Sequence, residues 1–283
     1  MSKRTHDTHA VVTGAGSGIG RAFALELARR HGRVVCVDLD ETSAKETVVM
    51  IERIGGEGLA VACDVSDEQL VRRMAVTATQ WLGRTPDLVV NNAGIGAGGR
   101  VVGDAPLEDW QRTLGVNLWG VIHGCHVFLP LLRERGKGGI INVASAAGFT
   151  AAPRMAAYNV SKAGVVSLSE TLAAELAGTG IAVTVLCPTF VRTNIFGGEL
   201  IDPLAAQMAR RVAGIAGFSP DRVARMTLDA HDKGRLYVLP QLDAKALWRL
   251  KRLAPAPYAR VAGLVGRFAP EPDGATATPT EES

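Results

Sequence analysis

Short apolar runs alternate along this chain with longer stretches in which apolar residues recur at helical spacing. The runs at 9–12, 33–37, 58–63, 87–90, 139–143, 180–186 and 234–239 read as buried strands. Between them, 21–30, 43–54, 67–82 and 106–132 carry helical patterns, of which Phe23, Leu25, Leu27 and Ala28 are one example. Such alternation predicts an α/β fold with a doubly wound parallel sheet, helices on both faces, and the carboxyl ends of the strands along one edge. In the longest helical pattern, Leu114, Leu118, Val121, Ile122 and Val127 surround Asn117. An amide buried there needs a reason, although periodicity alone fits a solvated face equally well.

Beyond residue 240 the pattern changes. Leu242–Leu253 and residues 258–268 have helical apolar spacing, interrupted by Pro255 and Pro257, and carry Lys245, Arg249, Lys251, Arg252, Arg260 and Arg267. A contact with a membrane surface is one reading; packing against the core or a neighbouring subunit is the favoured one. Residues 269–283 are polar and acidic and are expected to be disordered. The expected organisation is one domain over 1–240, a helical extension over 241–268 and a tail.

Composition narrows this little. A 47% hydrophobic fraction in 283 residues supports one large core, and the longest apolar runs look too short and interrupted to span a bilayer. The segment before residue 9 lacks the apolar stretch of a signal peptide, so a soluble, cytoplasmic protein is expected. Cys36, Cys63, Cys125 and Cys187 lie far apart in apolar runs, the context of buried free thiols, and no metal-ligand spacing is present. A net charge of +3 with dispersed cations argues against nucleic acid as a partner.

The candidate chemistry lies at two places. First, Gly14, Gly16, Ser17, Gly18, Ile19 and Gly20 form a glycine turn between the first strand and helix, where backbone N–H groups and the helix dipole favour a pyrophosphate. The second strand ends at Asp38, placed to accept hydrogen bonds from a ribose 2′-hydroxyl and to repel a 2′-phosphate. Neither Ser17 nor Leu39 offers a cation for that phosphate, so NAD is favoured over NADP. Second, Ser145 follows the strand at 139–143, and Tyr158 and Lys162 are four apart, on one face if helical. A hydroxyl, a phenol and an amine are thus spaced for proton transfer, and a lysine ammonium near the phenol would favour the phenolate and lower its pKa.

Taken in order, Thr13-Gly14 with Gly18 and Gly20, Asp38, Asp64, Asn91-Asn92-Ala93-Gly94, Asn117, Ser145, Tyr158 and Lys162 resemble the motifs of the short-chain dehydrogenase/reductase family, in its single-domain branch. The resemblance runs from about His9 to Leu239 and implies a Rossmann-type sheet of about seven strands. It implies an oxidoreductase acting on a secondary alcohol or ketone, with catalytic Asn117, Ser145, Tyr158 and Lys162. Asn117 would help anchor a water between the lysine and solvent, and Lys162 would also hold the nicotinamide ribose. Other implied cofactor contacts are Asp64 and Val65 at adenine, Asn91, Ala93 and Gly94 along the ribose side, and Pro188, Val191 and Thr193 at the nicotinamide. Ile95, Phe149, Met155 and Phe190 would line the substrate pocket beside Ser145 and Tyr158.

Two departures stand out: Thr189 replaces the family's usual glycine after Pro188, and Ala144 stands where a second serine is frequent. An apolar lid over 190–218 points toward a hydrophobic substrate of lipid, sterol or aryl type. A homodimer or homotetramer is implied. The alternatives are an NADP-dependent carbonyl reductase and a cofactor-sensing protein without turnover.

Overall fold

The computed structural model describes residues 3–267; Phe268 and the tail expected over 269–283 lie outside the described residues. The first half of the chain alternates β1 (His9–Thr13), α1 (Gly18–Arg29), β2 (Arg33–Asp38), α2 (Glu41–Arg53), β3 (Glu57–Ala62), α3 (Glu68–Leu82) and β4 (Leu88–Asn91). Then follow α4 (Leu107–Leu114), a π-helical turn at Gly115–Trp119, α5 (Gly120–Arg135), β5 (Gly138–Val143), the single turn α6 (Ala147–Thr150) and α7 (Ala156–Glu175). The chain continues through β6 (Ile181–Leu186), a 3₁₀ turn at Asn194–Gly197, α8 (Pro203–Ala216), α9 (Pro220–Asp232), β7 (Tyr237–Val238), α10 (Leu242–Leu253) and α11 (Pro255–Arg267).

All seven strands are parallel, in the order β3-β2-β1-β4-β5-β6-β7. Central strands are buried on both faces, which explains their continuous apolar runs: Val11 pairs with Val35 and Val89, and Val90 pairs with Ile141. On one face Phe23, Leu27, Ile51, Val223 and Leu228 pack α1, α2 and α9 onto the sheet. On the other, Val71, Met74 and Phe128 of α3 and α5 cover one half, and Val121, Leu132, Val165 and Leu172 of α5 and α7 cover the other. The strand order reverses between β1 and β4, so their carboxyl ends leave a crevice open to a ligand.

Three expectations change in detail. The long helical pattern is continuous from Leu107 to Arg135, 29 residues, and is apolar and long enough to cross a bilayer. Its buried residues, among them Val121, Cys125, Phe128 and Leu132, instead pack on the sheet, which accounts for the hydropathy. The last strand shrinks from 234–239 to two residues, because Gly234 (φ +64°) turns the chain out of α9 and Arg235 N–H still donates to Ala230 O. Finally, the prolines begin α11 rather than interrupt it: Pro255 and Pro257 fall in its first turn, where no intrahelical N–H is needed.

Candidate active site

The crevice is floored by the glycine turn. Gly14 and Gly18 have φ of +64° and +53°, conformations that a side chain would strain. Asn92 clamps the turn from β4, donating from Nδ2 to Thr13 O at 2.8 Å and Gly14 O at 3.2 Å, while Thr13 Oγ1 accepts from Asn92 N–H and Ala93 N–H at 2.9 and 3.0 Å. A Cβ on Gly20 would run into Gly14 O and approach Asn92 Nδ2 to 2.5 Å.

The N-terminus of α1 is left available to an anion. Asp40, Asp67, Asp202 and Ser219 cap α2, α3, α8 and α9 with side-chain oxygens, whereas Ser17 makes no such bond and the first turn of α1 holds no acid. Uncapped first-turn N–H groups beneath a glycine turn fit a pyrophosphate. Asp38 is held by Gly16 N–H at 2.8 Å and Asp40 N–H at 3.2 Å. Arg21, the cation nearest in sequence to the turn, is occupied by Thr47, Ser43 O and Glu46. These residues therefore fit a dinucleotide.

Farther along, Asp64 Oδ1 accepts from Ser66 N–H and Oγ–H, and Val65 is buried under Gly120, where a Cβ would come within 2.7 Å of its side chain. Asn91 points inward: its Nδ2 donates to Asn142 Oδ1 at 2.9 Å beside Cys125, so only its backbone faces the crevice edge. The Thr193 side chain reaches the glycine turn, 3.1 Å from the position of a Cβ on Gly18. Val191 is buried and pairs with Phe218 in an isolated bridge, tying down the root of the lid.

Ser145, Tyr158 and Lys162 meet at the carboxyl end of β5. Ser145 Oγ accepts from Ala147 N–H at 3.1 Å, lies 3.4 Å from Pro188 O, and hydrogen-bonds the Tyr158 phenol. Lys162, 2% exposed, donates from Nζ to Val143 O at 3.0 Å and sits 5.7 Å from the centre of the Tyr158 ring. Burial pulls the Lys162 pKa down to about 8, with the neighbouring Cys187 acting weakly the other way, and burial pushes the Cys187 thiol up to about 12. For Tyr158 the expectation of a depressed pKa is reversed: burial raises it, and the opposing influence is the Ser145 hydrogen bond rather than the lysine charge.

Asn117 is fully buried in the π turn, and its burial has a reason. Oδ1 accepts from Ile95 N–H at 2.7 Å and Nδ2 donates to Ile95 O at 2.8 Å, pinning the strand-β4 loop. Both ends of the amide are thus committed to Ile95, and the π turn that carries it is a local geometry that recurs at functional sites. Gly94 completes this corner: a Cβ there would lie 3.1 Å from Asn117 Oδ1 and 3.4 Å from Lys162 Nζ.

The residues expected around the substrate separate. Met155 lines a cavity of about 140 Å³ with Gly98, Val101, Ala156, Leu200 and Ile201, rimmed by Arg100, Asp109 and Glu199. Phe149 packs instead on the core under α5 and α7, and Ile95 is engaged through its backbone. Ala151 and Arg154 adopt φ of +51° and +61°, so the segment between Ser145 and Tyr158 is strained, and bonds from Gly99 N–H to Arg154 O and from Asn159 Nδ2 to Ala152 O hold it.

Sequence reasoning missed Gln241. Its Oε1 accepts from Thr189 N–H at 3.2 Å and its Nε2 donates to Phe190 O at 2.9 Å, so the root of α10 fixes the lid's first residues, including the departure at Thr189. No local signal in the sequence marks this contact, which spans about fifty positions.

A fold and site of this kind define a class, and a family model of short chain dehydrogenases matches residues 8–201. The chain belongs to that family. It is 39% identical over 260 residues to a probable oxidoreductase, EphD, of Mycobacterium tuberculosis, a match covering 88% of this chain but 43% of that protein. The chain therefore spans less than half of that relative. It is 33% identical to the putative oxidoreductase SadH of the same species, over 92% of this chain and 96% of SadH. Among solved structures, a short-chain dehydrogenase/reductase from Burkholderia phymatum in complex with NAD superposes with a TM-score of 0.84 at 35% identity, covering 89% of this chain and 95% of its own.

Proposed function

We propose that this chain is an oxidoreductase that interconverts a secondary alcohol and its ketone using NAD in preference to NADP. The observation that carries the reading is the hydrogen bond between Ser145 and the Tyr158 phenol, with Lys162 Nζ buried 5.7 Å from the centre of that ring, beside a glycine turn whose helix is uncapped. A bound nicotinamide would supply the hydride acceptor or donor. Ser145 binds the substrate oxygen through its hydroxyl, and the Tyr158 oxygen takes the alcohol proton in oxidation or returns it in reduction. Lys162, with a pKa near 8, is mostly cationic at neutral pH and loses its charge just above it. Because burial raises the Tyr158 pKa, alcohol oxidation should climb with pH, while reduction, which needs the protonated phenol, should not.

Asp38 supports NAD by its carboxylate and by the absence of a cation bonded to it among the described residues. The apolar floor of the Met155 cavity and the lid residues Leu200 and Ile201 favour a hydrophobic substrate, with Arg100, Asp109 and Glu199 meeting its polar end. The reading includes a cytoplasmic homo-oligomer.

Binding of NADH and NADPH, measured by fluorescence, and a screen of hydrophobic secondary alcohols followed by NADH absorbance test it. Tyr158→Phe should lower turnover by roughly 10²- to 10⁴-fold with NADH affinity retained. Unchanged turnover in that variant would remove the mechanism, and equal affinity for both cofactors would remove the argument from Asp38.

A further inference from the structure

Helix α10 has two apolar faces, and packing on the core explains only one. Gln241, Ala244, Leu247, Trp248 and Lys251 turn toward the protein; Ala244 is fully buried and Trp248 stacks on Tyr237 with ring centres 5.9 Å apart. At 100° per residue, Leu242, Ala246, Leu250 and Leu253 fall within an arc of about 80° on the opposite side. These leucines are 80%, 53% and 85% exposed, in order. Lys245, Arg249 and Arg252 flank that stripe along one edge, all exposed. In α11 the pattern repeats, with exposed Val261 and Leu264 beside Arg260. The segment 241–267 carries six Lys and Arg against the single acid Asp243.

A soluble surface helix ordinarily turns charge outward, and scattered exposed leucines need no explanation. A continuous outward stripe bordered by cations does. Two occupants fit apolar residues at a surface: a second copy of this chain or a lipid bilayer. A second copy seated face to face would oppose like charges, whereas the negative surface of an anionic bilayer attracts each cation while the leucines enter the headgroup boundary.

α8, which follows β6 through the lid, shows its own exposed stripe of Leu204, Met208, Val212 and Ile215, and α10 follows the adjacent β7. Gln241 joins the root of α10 to Thr189 and Phe190 at the root of the lid.

We propose that α10 and α11 form a docking surface for an anionic lipid bilayer, with the Leu242, Leu250 and Leu253 stripe at headgroup level and the flanking cations against lipid phosphates. This is separate from the hydride-transfer reading and stands or falls without it.

The test is co-sedimentation of the full chain with vesicles of phosphatidylcholine, with and without phosphatidylserine. Pelleting is expected with phosphatidylserine, at least about tenfold weaker without it, and released as salt shortens the screening length from about 10 Å to about 3 Å. Leu250→Asp with Leu253→Asp, and separately Lys245→Glu with Arg249→Glu, should each lower binding at least about tenfold while NADH binding and thermal midpoint stay unchanged. The charge pair lies at exposed positions, so it remains informative if the leucine pair fails to fold. No pelleting of the wild type, or equal pelleting of the charge variant, would overturn the proposal. So would a dimer in sedimentation velocity without lipid that Leu250→Asp converts to monomer, since the stripe would then belong to a second copy.

Discussion

Lys162 should cost the protein stability in return for its chemistry, and the amount can be worked from its surroundings. Its pKa falls from 10.5 to about 8 on burial, a shift of 10.5 − 8 = 2.5. At about 1.36 kcal/mol per unit, keeping the ammonium charged inside the fold costs about 3 kcal/mol at pH 7. Lys162→Met removes that cost but leaves Val143 O without its donor, a loss of about 1–3 kcal/mol. The variant should therefore be as stable as wild type at pH 7, or up to about 2 kcal/mol more stable, while losing turnover.

The pH dependence separates the two contributions. Between pH 8 and 10.5 the unfolded chain holds a proton at this lysine that the folded chain has released, so wild-type stability gains with rising pH in that window. Methionine has no such gain. Urea unfolding of both proteins at pH 7 and pH 10 should show wild type improving relative to the variant by roughly 2–3 kcal/mol. A constant difference across that range would mean that Lys162 holds an ordinary pKa, and the account of its burial would be wrong.

His231 predicts the opposite limb. It is 1% exposed and its pKa is lowered to about 3 by burial, so the contribution it makes as a neutral ring is fully present above pH 6.5 and is lost as pH falls toward 3. That loss amounts to about 5 kcal/mol, and His231→Gln should flatten acid unfolding followed by circular dichroism. Gly20→Ala drives a methyl onto Gly14 O and should reduce NADH affinity at least about tenfold with the far-ultraviolet spectrum unchanged, as titration of NADH fluorescence would show. Gln241→Ala frees Thr189 N–H and Phe190 O at the lid root and should raise KM more than it lowers kcat in steady-state assays.

The order of strands and helices was legible because the central strands are covered on both faces and the helices flanking them on one, so burial writes itself into the spacing of apolar residues. Glycine at 14 and 18 and the carboxylate at Asp38 were legible for a related reason: a positive φ, and a strand end beside the glycine turn, restrict the residue type at a point. The inward turn of Asn91 was not legible, since it rests on Asn142, and neither was the separation of Phe149 from Met155. Asn117 lay between these cases. The sequence raised the question of an amide in an apolar helix, and Ile95, twenty-two positions earlier, answers it.

What the sequence determined by itself was the α/β alternation, the glycine turn, and the spacing of Ser145, Tyr158 and Lys162, the set on which the proposed proton transfer rests. Only the tertiary structure decided the state of that set. Desolvation is a property of everything packed around a group, so the upward shift of Tyr158, the fall of Lys162 to about 8 and the commitment of Asn117 to Ile95 emerge only once distant segments are brought together. For the same reason α10 read as one amphipathic helix in sequence, and showed its second apolar face only when its first was seen to be filled.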